Sequence, residues 1–226
     1  MNDRSSLIWL FDLDNTLHDA SFSVFKQIDV SMTNAVMKHL NVSKDQANYY
    51  RQKYWEKYGA TLIGMQRHHQ VNPKAFLKSS HDFDIAAHIK PEPYLNLLFQ
   101  TLPGKKFIYT NAPKDYAEIV LNTLNIDHHI EKIFAIDDMK IAGIHYPKPS
   151  VSMLKRVLHQ LSCPPHQIIF VEDTLKNLKP AKQIGMRTVY LFHPHTPFSS
   201  KKPLSPRYMD FRIKDIRSLP DLLKKI

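Results

Sequence analysis

The chain has 226 residues, of which 43% are hydrophobic and 23% charged, and its formal net charge is +10 with a pI near 9.5. These values are typical of a globular protein with one sizeable core and room for a smaller accessory domain. Its 5 glycines cannot be assembled into a glycine-rich phosphate loop. The basic charge favours anionic ligands, but the lysines and arginines do not interleave with aromatic residues, which disfavours nucleic acid as a partner.

A single cysteine, Cys163, excludes an internal disulfide framework and predicts a cytoplasmic location. No stretch approaches the roughly 20 apolar residues that a membrane-spanning helix needs. The apolar run near the N-terminus is interrupted at Asp12, too early for a signal sequence. We therefore expect no membrane partner, and a monomer or a homodimer.

The first predicted element is a buried strand over residues 7–11, where Leu7-Ile8-Trp9-Leu10-Phe11 is a continuous apolar run. Asp12 and Asp14 follow where this strand ends, and open α/β sheets place their chemistry at the carboxyl ends of strands. Two close carboxylates repel each other unless a cation or a shared proton relieves them. The pair therefore indicates metal binding, acid–base chemistry or both. The structural alternative is an Asp-rich turn in which Asn15 caps the next element.

A mostly helical segment follows, from about residue 21 to about residue 80. Its first apolar residues recur at steps of three and four: Phe22, Phe25, Ile28, Met32, Val36 and Leu40. Ser43 is the predicted cap of a second helix that runs through Tyr58 and ends at Gly59. Pro73 fits the first turn of a further short helix. Because no strand pattern occurs here, the segment is predicted to be a small helical subdomain.

Strand and helix patterns alternate in the rest of the chain. Helices are predicted over residues 93–102, 113–124, 149–161, 177–184 and from 220. Strands are predicted over residues 106–109, 133–136, 167–171, 187–191 and 211–213. This alternation is typical of right-handed crossovers and a parallel sheet. Residues 192–208, with several prolines, serines and lysines, are predicted to form an exposed loop.

Polar residues recur at the ends of these strands. Thr110 and Asn111 follow the second strand, and Glu172 and Asp173 follow the run Phe170-Val171. Lys148 lies between two prolines just before a helix, and the prolines stiffen that turn. With Asp12 and Asp14, these residues place four acids, a cation, a hydroxyl and an amide in one predicted crevice.

The chemistry that fits this set is phosphoryl transfer. Carboxylates that share a crevice need a hard cation, and oxygen ligands select magnesium. Asp12 is the predicted nucleophile, which forms an aspartyl phosphate, and Asp14 is predicted to protonate the leaving oxygen and then activate water. Lys148 would offset the charge of the phosphoryl oxygens, and Thr110 and Asn111 would donate hydrogen bonds to them.

The order Asp-x-Asp-x-Thr, Thr-Asn, Lys and Glu-Asp resembles the haloacid dehalogenase superfamily over essentially the whole chain. The resemblance implies an α/β fold, with a Rossmann-like parallel-sheet core over residues 1–17 and 89–226 and an inserted α-helical cap over residues 18–88. It implies Mg²⁺ held by Asp12, Asp173 and the backbone carbonyl of Asp14, with Glu172 acting mainly through water. An acid at the position of Asp14 points to the phosphatase branch.

A narrower resemblance is to the pyrimidine 5′-nucleotidase family. It rests on the segments Tyr58-Gly59-Ala60-Thr61-Leu62-Ile63-Gly64 with His69, His81-Asp82-Phe83-Asp84, and residues 170–182. It implies hydrolysis of nucleoside monophosphates such as UMP and CMP, and Tyr58, Thr61 and His69 become candidates for substrate binding. Ala60 and Ile63 stand where relatives often carry a polar or basic residue, and Ala112 stands where glycine is common.

Two alternatives stay open. One is a phosphatase or phosphomutase of the same fold that acts on phosphoglycolate, a sugar phosphate or a vitamin phosphate. The other is a catalytically silent protein that binds nucleic acid through its basic surface.

Overall fold

The computed structural model describes residues 6–194 and 206–225. The strands are β1 (Ile8–Phe11), β2 (Lys105–Tyr109), β3 (Ile130–Phe134), β4 (Lys140–Ile141), β5 (Ile144–His145), β6 (Ile168–Glu172), β7 (Arg187–Leu191) and β8 (Phe211–Ile213). The α-helices are α1 (Val24–Leu40), α2 (Lys44–Tyr58), α3 (Thr61–His69), α4 (Pro73–Ser80), α5 (Tyr94–Thr101), α6 (Lys114–Thr123), α7 (Val151–Leu161), α8 (Leu175–Gln183) and α9 (Leu219–Leu222). Most of the predicted loop over residues 192–208 lies outside the described residues.

Six strands form one parallel sheet in the order β3-β2-β1-β6-β7-β8, which confirms the predicted α/β fold with a parallel-sheet core. The chain adds β2 and β3 on one side of β1, and β6, β7 and β8 on the other side. The strand order therefore reverses at β1, and a parallel sheet binds its ligands at such a switch point. β1 is buried along its whole length, as its unbroken apolar run predicts.

Apolar layers cover both faces of the sheet. One cluster is centred on Trp9, Phe11 and Phe99, where the Phe11 and Phe99 rings stack with their centroids 5.0 Å apart. The other cluster is centred on Leu10, Tyr109 and Phe170. Alternate residues of β1 enter opposite layers, since successive side chains of a strand point to opposite faces. Packing on both faces fixes the position of the carboxyl end of β1 within the sheet.

The helices α1 to α4, which we call the helical block, are inserted between β1 and β2 and have a hydrophobic cluster of their own. Ser43 caps α2 and Gly59 ends it with φ of +78°, both as predicted. Gln46 completes a capping box with Ser43. A β-carbon on Gly64 would lie 2.0 Å from Cγ of Tyr54, so α3 packs directly against the Tyr54 ring of α2. Pro73 occupies the first turn of α4, as predicted.

One local prediction was wrong and one element was missed. A strand was expected over residues 133–136, but β3 spans Ile130–Phe134 and Ile136 begins a 3₁₀ turn. β3 is an edge strand whose Glu131 and Lys132 are exposed, so an apolar pattern does not mark its start. The short hairpin of β4 and β5 was not expected, and it turns through Ala142 and Gly143, both with positive φ.

Within the described residues, no helix combines the length and apolar character that crossing a bilayer requires.

Candidate active site

The carboxyl ends of three adjacent strands bring the predicted site residues together. Asp12 follows β1, Thr110 follows β2, and Glu172 ends β6 with Asp173 directly after it. β1 pairs with β2 on one side and with β6 on the other, with Phe11 opposite Ile108 and Val171. Because parallel strands end at the same edge of a sheet, these side chains meet at the switch point.

Lys148 is the cation of the site. Its Nζ lies 2.5 Å from Oδ1 of Asp12 and 2.9 Å from Oε2 of Glu172. All three side chains are at least nine-tenths buried, and Asp12 also accepts a bond of 3.1 Å from Oγ1 of Thr16. Truncating one partner of such a pair would leave buried charge uncompensated. The loop before α7 therefore places the ammonium group of Lys148 beside the ends of β1 and β6.

Asn111 holds that loop in place. Its Oδ1 accepts a bond of 2.8 Å from the backbone N–H of Lys148, and its Nδ2 donates one of 3.3 Å to the carbonyl of the same residue. Thr110 is buried, and its Oγ1 accepts a bond of 3.0 Å from the N–H of Ala112. The hydroxyl hydrogen of Thr110 is not used in that bond, so it can be donated to a ligand.

The pKa values of the acids show how much negative charge is concentrated here. Burial, followed by the charge of Glu172, raises the pKa of Asp12 to about 7 despite the attraction of Lys148. Burial and the charges of Glu172 and Asp12 raise the pKa of Asp173 to about 10. Burial alone would lower the pKa of Lys148, but the charges of Asp12 and Glu172 outweigh it and raise that pKa. One ammonium group therefore faces three buried carboxyl groups.

This acid cluster fits a hard divalent cation. Asp12, Glu172 and Asp173 each offer a carboxylate oxygen, and these oxygens lie within 4.8 Å of one another. Oδ2 of Asp173 is buried and has no hydrogen-bond partner in the part of the chain that the structure describes. An all-oxygen donor set is what Mg²⁺ or Ca²⁺ prefers, and a cation would relieve the repulsion that raises the carboxyl pKa values.

Asp14 has hydrogen-bond partners of its own. Its Oδ1 accepts a bond of 2.6 Å from the Tyr116 hydroxyl on α6 and lies 2.9 Å from Nε2 of His18. Burial, together with the charge of Asp14, raises the pKa of Tyr116 well above its ordinary value, so the phenol stays a donor. Sequence reasoning found Asp14 but missed both partners, because neither belongs to a recognisable motif.

The helical block and the sheet together enclose a cleft of about 650 Å³. Asp12, Asp14, Lys148 and Asp173 line its base, as do Thr110, Asn111 and Glu172. Thr61 also lines the cleft, and its hydroxyl donates a hydrogen bond of 3.2 Å to the backbone carbonyl of Arg51.

The structure does not bring Tyr58 and His69 to this cleft. The Tyr58 hydroxyl lies 2.7 Å from Nε2 of His68, and Nε2 of His69 lies 2.6 Å from the Tyr54 hydroxyl. Both contacts belong to a partly exposed aromatic cluster between α2 and α3, where Tyr54 and His68 stack with centroids 5.4 Å apart. The geometry therefore gives no support to the prediction that Tyr58 and His69 bind substrate.

Three residues of α2 line the cleft and were missed: Arg51, Gln52 and Trp55. Arg51 forms an ion pair with Asp29 of α1, and Nζ of Lys176 lies 5.9 Å from the centre of the Trp55 ring. Trp55 follows Arg51 by four residues and Gln52 by three, spacings that place it on the same side of the helix as each of them, and a sequence analysis could have used this signal.

Comparisons with known proteins find matches in sequence and in fold. A sequence profile described as haloacid dehalogenase-like hydrolase matches residues 9–191. Phosphate metabolism protein 8 of Saccharomyces cerevisiae is 23% identical over 197 residues, or 81% of this chain. The chain spans 61% of the length of that yeast relative.

Two solved structures share the fold across nearly the whole chain. A HAD phosphatase from Thermococcus onnurineus is similar with a TM-score of 0.60 at 18% identity, covering 96% of this chain and 97% of that one. The L-2-haloacid dehalogenase of Xanthobacter autotrophicus is similar with a TM-score of 0.59 at 16% identity, covering 97% and 98%. Since a phosphatase and a dehalogenase match equally well, the fold alone does not choose between their reactions.

Proposed function

This chain belongs to the haloacid dehalogenase-like hydrolases, and within that family we propose that it is a magnesium-dependent phosphomonoesterase. The observation that carries the proposal is the second carboxylate, Asp14, which lines the same cleft as Asp12. A halide leaves carbon as a stable anion, whereas the oxygen that leaves a phosphate ester needs a proton donor. The Asp12 and Asp14 pair therefore supports phosphate ester hydrolysis over dehalogenation.

The reaction divides between these two acids. An oxygen of Asp12 attacks phosphorus, the bond from phosphorus to the ester oxygen breaks, and Asp14 gives its proton to that oxygen. Water then attacks the aspartyl phosphate while Asp14 takes a proton from it, which releases phosphate and restores Asp12. Lys148 and Thr110 would stabilise the negative phosphoryl oxygens in both steps. Lys148 is within hydrogen-bond distance of Asp12, so its ammonium group lies close to the place where negative charge develops on the phosphoryl oxygens.

The residues that would hold Mg²⁺ are Asp12, Asp173 and the backbone carbonyl of Asp14, with Glu172 acting through water. When bound, the ion would supply positive charge against the phosphoryl oxygens and the crowded carboxylates. The buried and unpartnered oxygen of Asp173 supports this assignment. Glu172 accepts a bond from Lys148 through one oxygen and a bond of 3.1 Å from the N–H of Thr174 through the other, so it also orients the lysine.

For the substrate, we propose pyrimidine nucleoside monophosphates such as UMP and CMP. The cleft of about 650 Å³ is far larger than a phosphate group, so it leaves room for a nucleoside. Trp55 offers a ring for stacking, and Arg51 and Gln52 offer hydrogen-bond donors. Thr61 lines the same cleft, while Tyr58 and His69 would act only through the packing of the helical block.

We also propose that residues 18–88 act as a cap over a core formed by residues 1–17 and 89–226. Such a cap would close over the cleft, exclude water during transfer to Asp12 and select the leaving group. A cytoplasmic location fits a chain with the single cysteine Cys163.

A screen of phosphomonoesters against the purified protein tests the proposal. The panel contains UMP, CMP, purine monophosphates, phosphoglycolate, sugar phosphates and a vitamin phosphate, with free phosphate as the readout. We expect UMP and CMP to be hydrolysed fastest, and a chelator to abolish phosphate release. Faster turnover of a sugar phosphate or phosphoglycolate would reject the nucleotidase assignment. Binding of nucleic acid without any turnover would reject the enzymatic one.

A further inference from the structure

We propose that His18 and Tyr116 are positioning residues that anchor one oxygen of Asp14, so that the other oxygen, Oδ2, is the atom that exchanges the proton with substrate. This inference rests on the proposed phosphomonoesterase function and specifies how this chain orients its acid. It starts from the fact that both hydrogen bonds to the Asp14 side chain fall on the same oxygen, Oδ1. No hydrogen bond within residues 6–194 and 206–225 reaches Oδ2.

The two anchors come from different parts of the fold. His18 lies four residues after Asp14 in the turn that follows β1, and its Nε2 is 2.9 Å from Oδ1. Tyr116 lies 102 residues away on α6, and its hydroxyl is 2.6 Å from the same atom. Both anchors are buried and neither lines the cleft, whereas Asp14 is partly exposed and lines it. Two buried donors therefore hold Oδ1 of the Asp14 carboxyl group, while the side chain remains open to the cleft.

The hydrogen bonds of the two ring nitrogens of His18 indicate which nitrogen carries the proton. Nδ1 of His18 is buried and has no hydrogen-bond partner within the described chain. A proton on Nδ1 would leave a buried donor unpaired, which is costly, whereas a proton on Nε2 is used in the bond to Asp14. His18 thus donates from Nε2, and Tyr116 donates from its hydroxyl.

Two donors on Oδ1 suit both protonation states that Asp14 must adopt. In the acid form, the proton sits on Oδ2 and Oδ1 is the carbonyl oxygen, which can accept both bonds. When the ester bond to phosphorus breaks, that proton passes from Oδ2 to the leaving oxygen, and Asp14 becomes a carboxylate that the same two bonds stabilise. In the second step, Oδ2 takes a proton from the attacking water. The anchors need not move at any stage.

The leaving group provides the test. A 5′-nucleotide such as UMP releases an alkoxide and needs the acid, whereas p-nitrophenyl phosphate releases a stable phenolate and needs it little. The informative constant is kcat/KM, because it covers only the steps up to transfer onto Asp12 and excludes the water step that both esters share. We expect Tyr116→Phe to lower kcat/KM for UMP by roughly ten- to a hundredfold and that for p-nitrophenyl phosphate by less than about threefold.

A matched control is Tyr109→Phe, since the Tyr109 hydroxyl is buried but has no hydrogen-bond partner in the described residues. It should leave the ratio of the two kcat/KM values unchanged. His18→Phe should repeat the selective loss, and His18→Gln, which keeps an amide donor, should restore part of it. These two variants keep the test decisive should Tyr116→Phe fold poorly.

Equal losses for the two esters in the Tyr116 and His18 variants, with an active wild type that Asp12→Asn inactivates, would overturn the positioning role and leave the proposed function intact. Absence of phosphate release from both esters by the wild-type protein would overturn both. A selective loss for UMP alone supports the inference.

Discussion

The ammonium group of Lys148 lies 2.5 Å from Oδ1 of Asp12, although 136 residues separate them in sequence. Both side chains are buried, so in the absence of a ligand the lysine is the main source of positive charge on the proposed nucleophile. Glu172 shares that lysine and raises the pKa of Asp12. The site therefore holds more buried carboxyl groups than the single ammonium group of Lys148 can neutralise.

Asp12→Asn should abolish hydrolysis, because an amide oxygen is a poor nucleophile and cannot form the aspartyl phosphate. We expect kcat to fall by roughly 10⁴-fold or more, measured as phosphate release from the best substrate of the screen. Asp115→Asn on the exposed side of α6 is the matched control and should be fully active. Substantial activity in Asp12→Asn would remove Asp12 from the nucleophile role.

Asp14→Asn and Asp173→Asn should separate acid catalysis from metal binding. Asp14→Asn should lower kcat by about 10²- to 10⁴-fold and leave the Mg²⁺ affinity nearly unchanged, since only its backbone carbonyl would touch the ion. Asp173→Asn should weaken Mg²⁺ binding by at least about tenfold, because it replaces a charged ligand. Titration calorimetry with MgCl₂ measures both affinities. Equal losses of affinity would contradict this division of roles.

Lys148→Met should destabilise the protein and weaken substrate binding together. Removing the ammonium group leaves Asp12 and Glu172 buried without their partner, which typically costs about 3–5 kcal/mol of unfolding free energy. Urea unfolding in chelator measures this loss, and KM for the substrate should rise. Lys155→Met, on the exposed side of α7, should change neither quantity. If Lys148→Met binds substrate as tightly as the wild type, Lys148 is not a phosphate ligand.

We predict that protonation of His145 lowers the free energy of unfolding in acid. Its Nδ1 lies 3.0 Å from Oε1 of Gln66 on α3, and burial, aided by the charge of Lys140, lowers its pKa to about 4. Its pKa in the unfolded chain is the ordinary 6.5, so the unfolded state binds more protons between these values. The contribution of His145 is therefore complete above about pH 6.5 and is lost as the pH falls from there towards 4.

The measurement is the unfolding free energy of the wild type and of His145→Gln across that pH window. In the wild type, the unfolding free energy should change by up to about 1.4 kcal/mol per pH unit because of His145, the slope expected for one proton bound on unfolding. The variant should lack this part of the pH dependence. His159→Gln, at an exposed position of α7, is the control. Identical pH profiles for His145→Gln and the wild type would show that His145 does not titrate between the two states.

Local signals in the sequence predicted the elements that depend on local physics. The bounds of α2 follow from Ser43, which caps the helix, and from Gly59, which adopts positive φ after it. β7 was predicted with its observed limits because its buried run is continuous. β3 was misplaced because its start is exposed, and the hairpin of β4 and β5 was missed because strands of two residues carry no periodic pattern.

The candidate site divides in the same way. Asp12, Asp14, Lys148 and Asp173 could be picked out because acids and a cation at strand ends carry a chemical meaning by themselves. Tyr116 could not be picked out, because an isolated tyrosine in a helix most often serves packing. The sequence also did not indicate which residues of the helical block line the cleft: Arg51 and Trp55 of α2 line it, whereas Tyr58 and His69 contact other aromatic residues of the block.

The residue order already specifies which chemical groups are present and which strand ends carry them, because apolar runs, caps and acidic pairs act over a few residues. Their pairing comes from the three-dimensional fold, in which β1 lies between β2 and β6, Lys148 contacts Asp12, and Tyr116 donates to Asp14. These contacts join residues 102 and 136 positions apart. Their geometry depends on how whole layers pack against the sheet, and no local spacing encodes that packing.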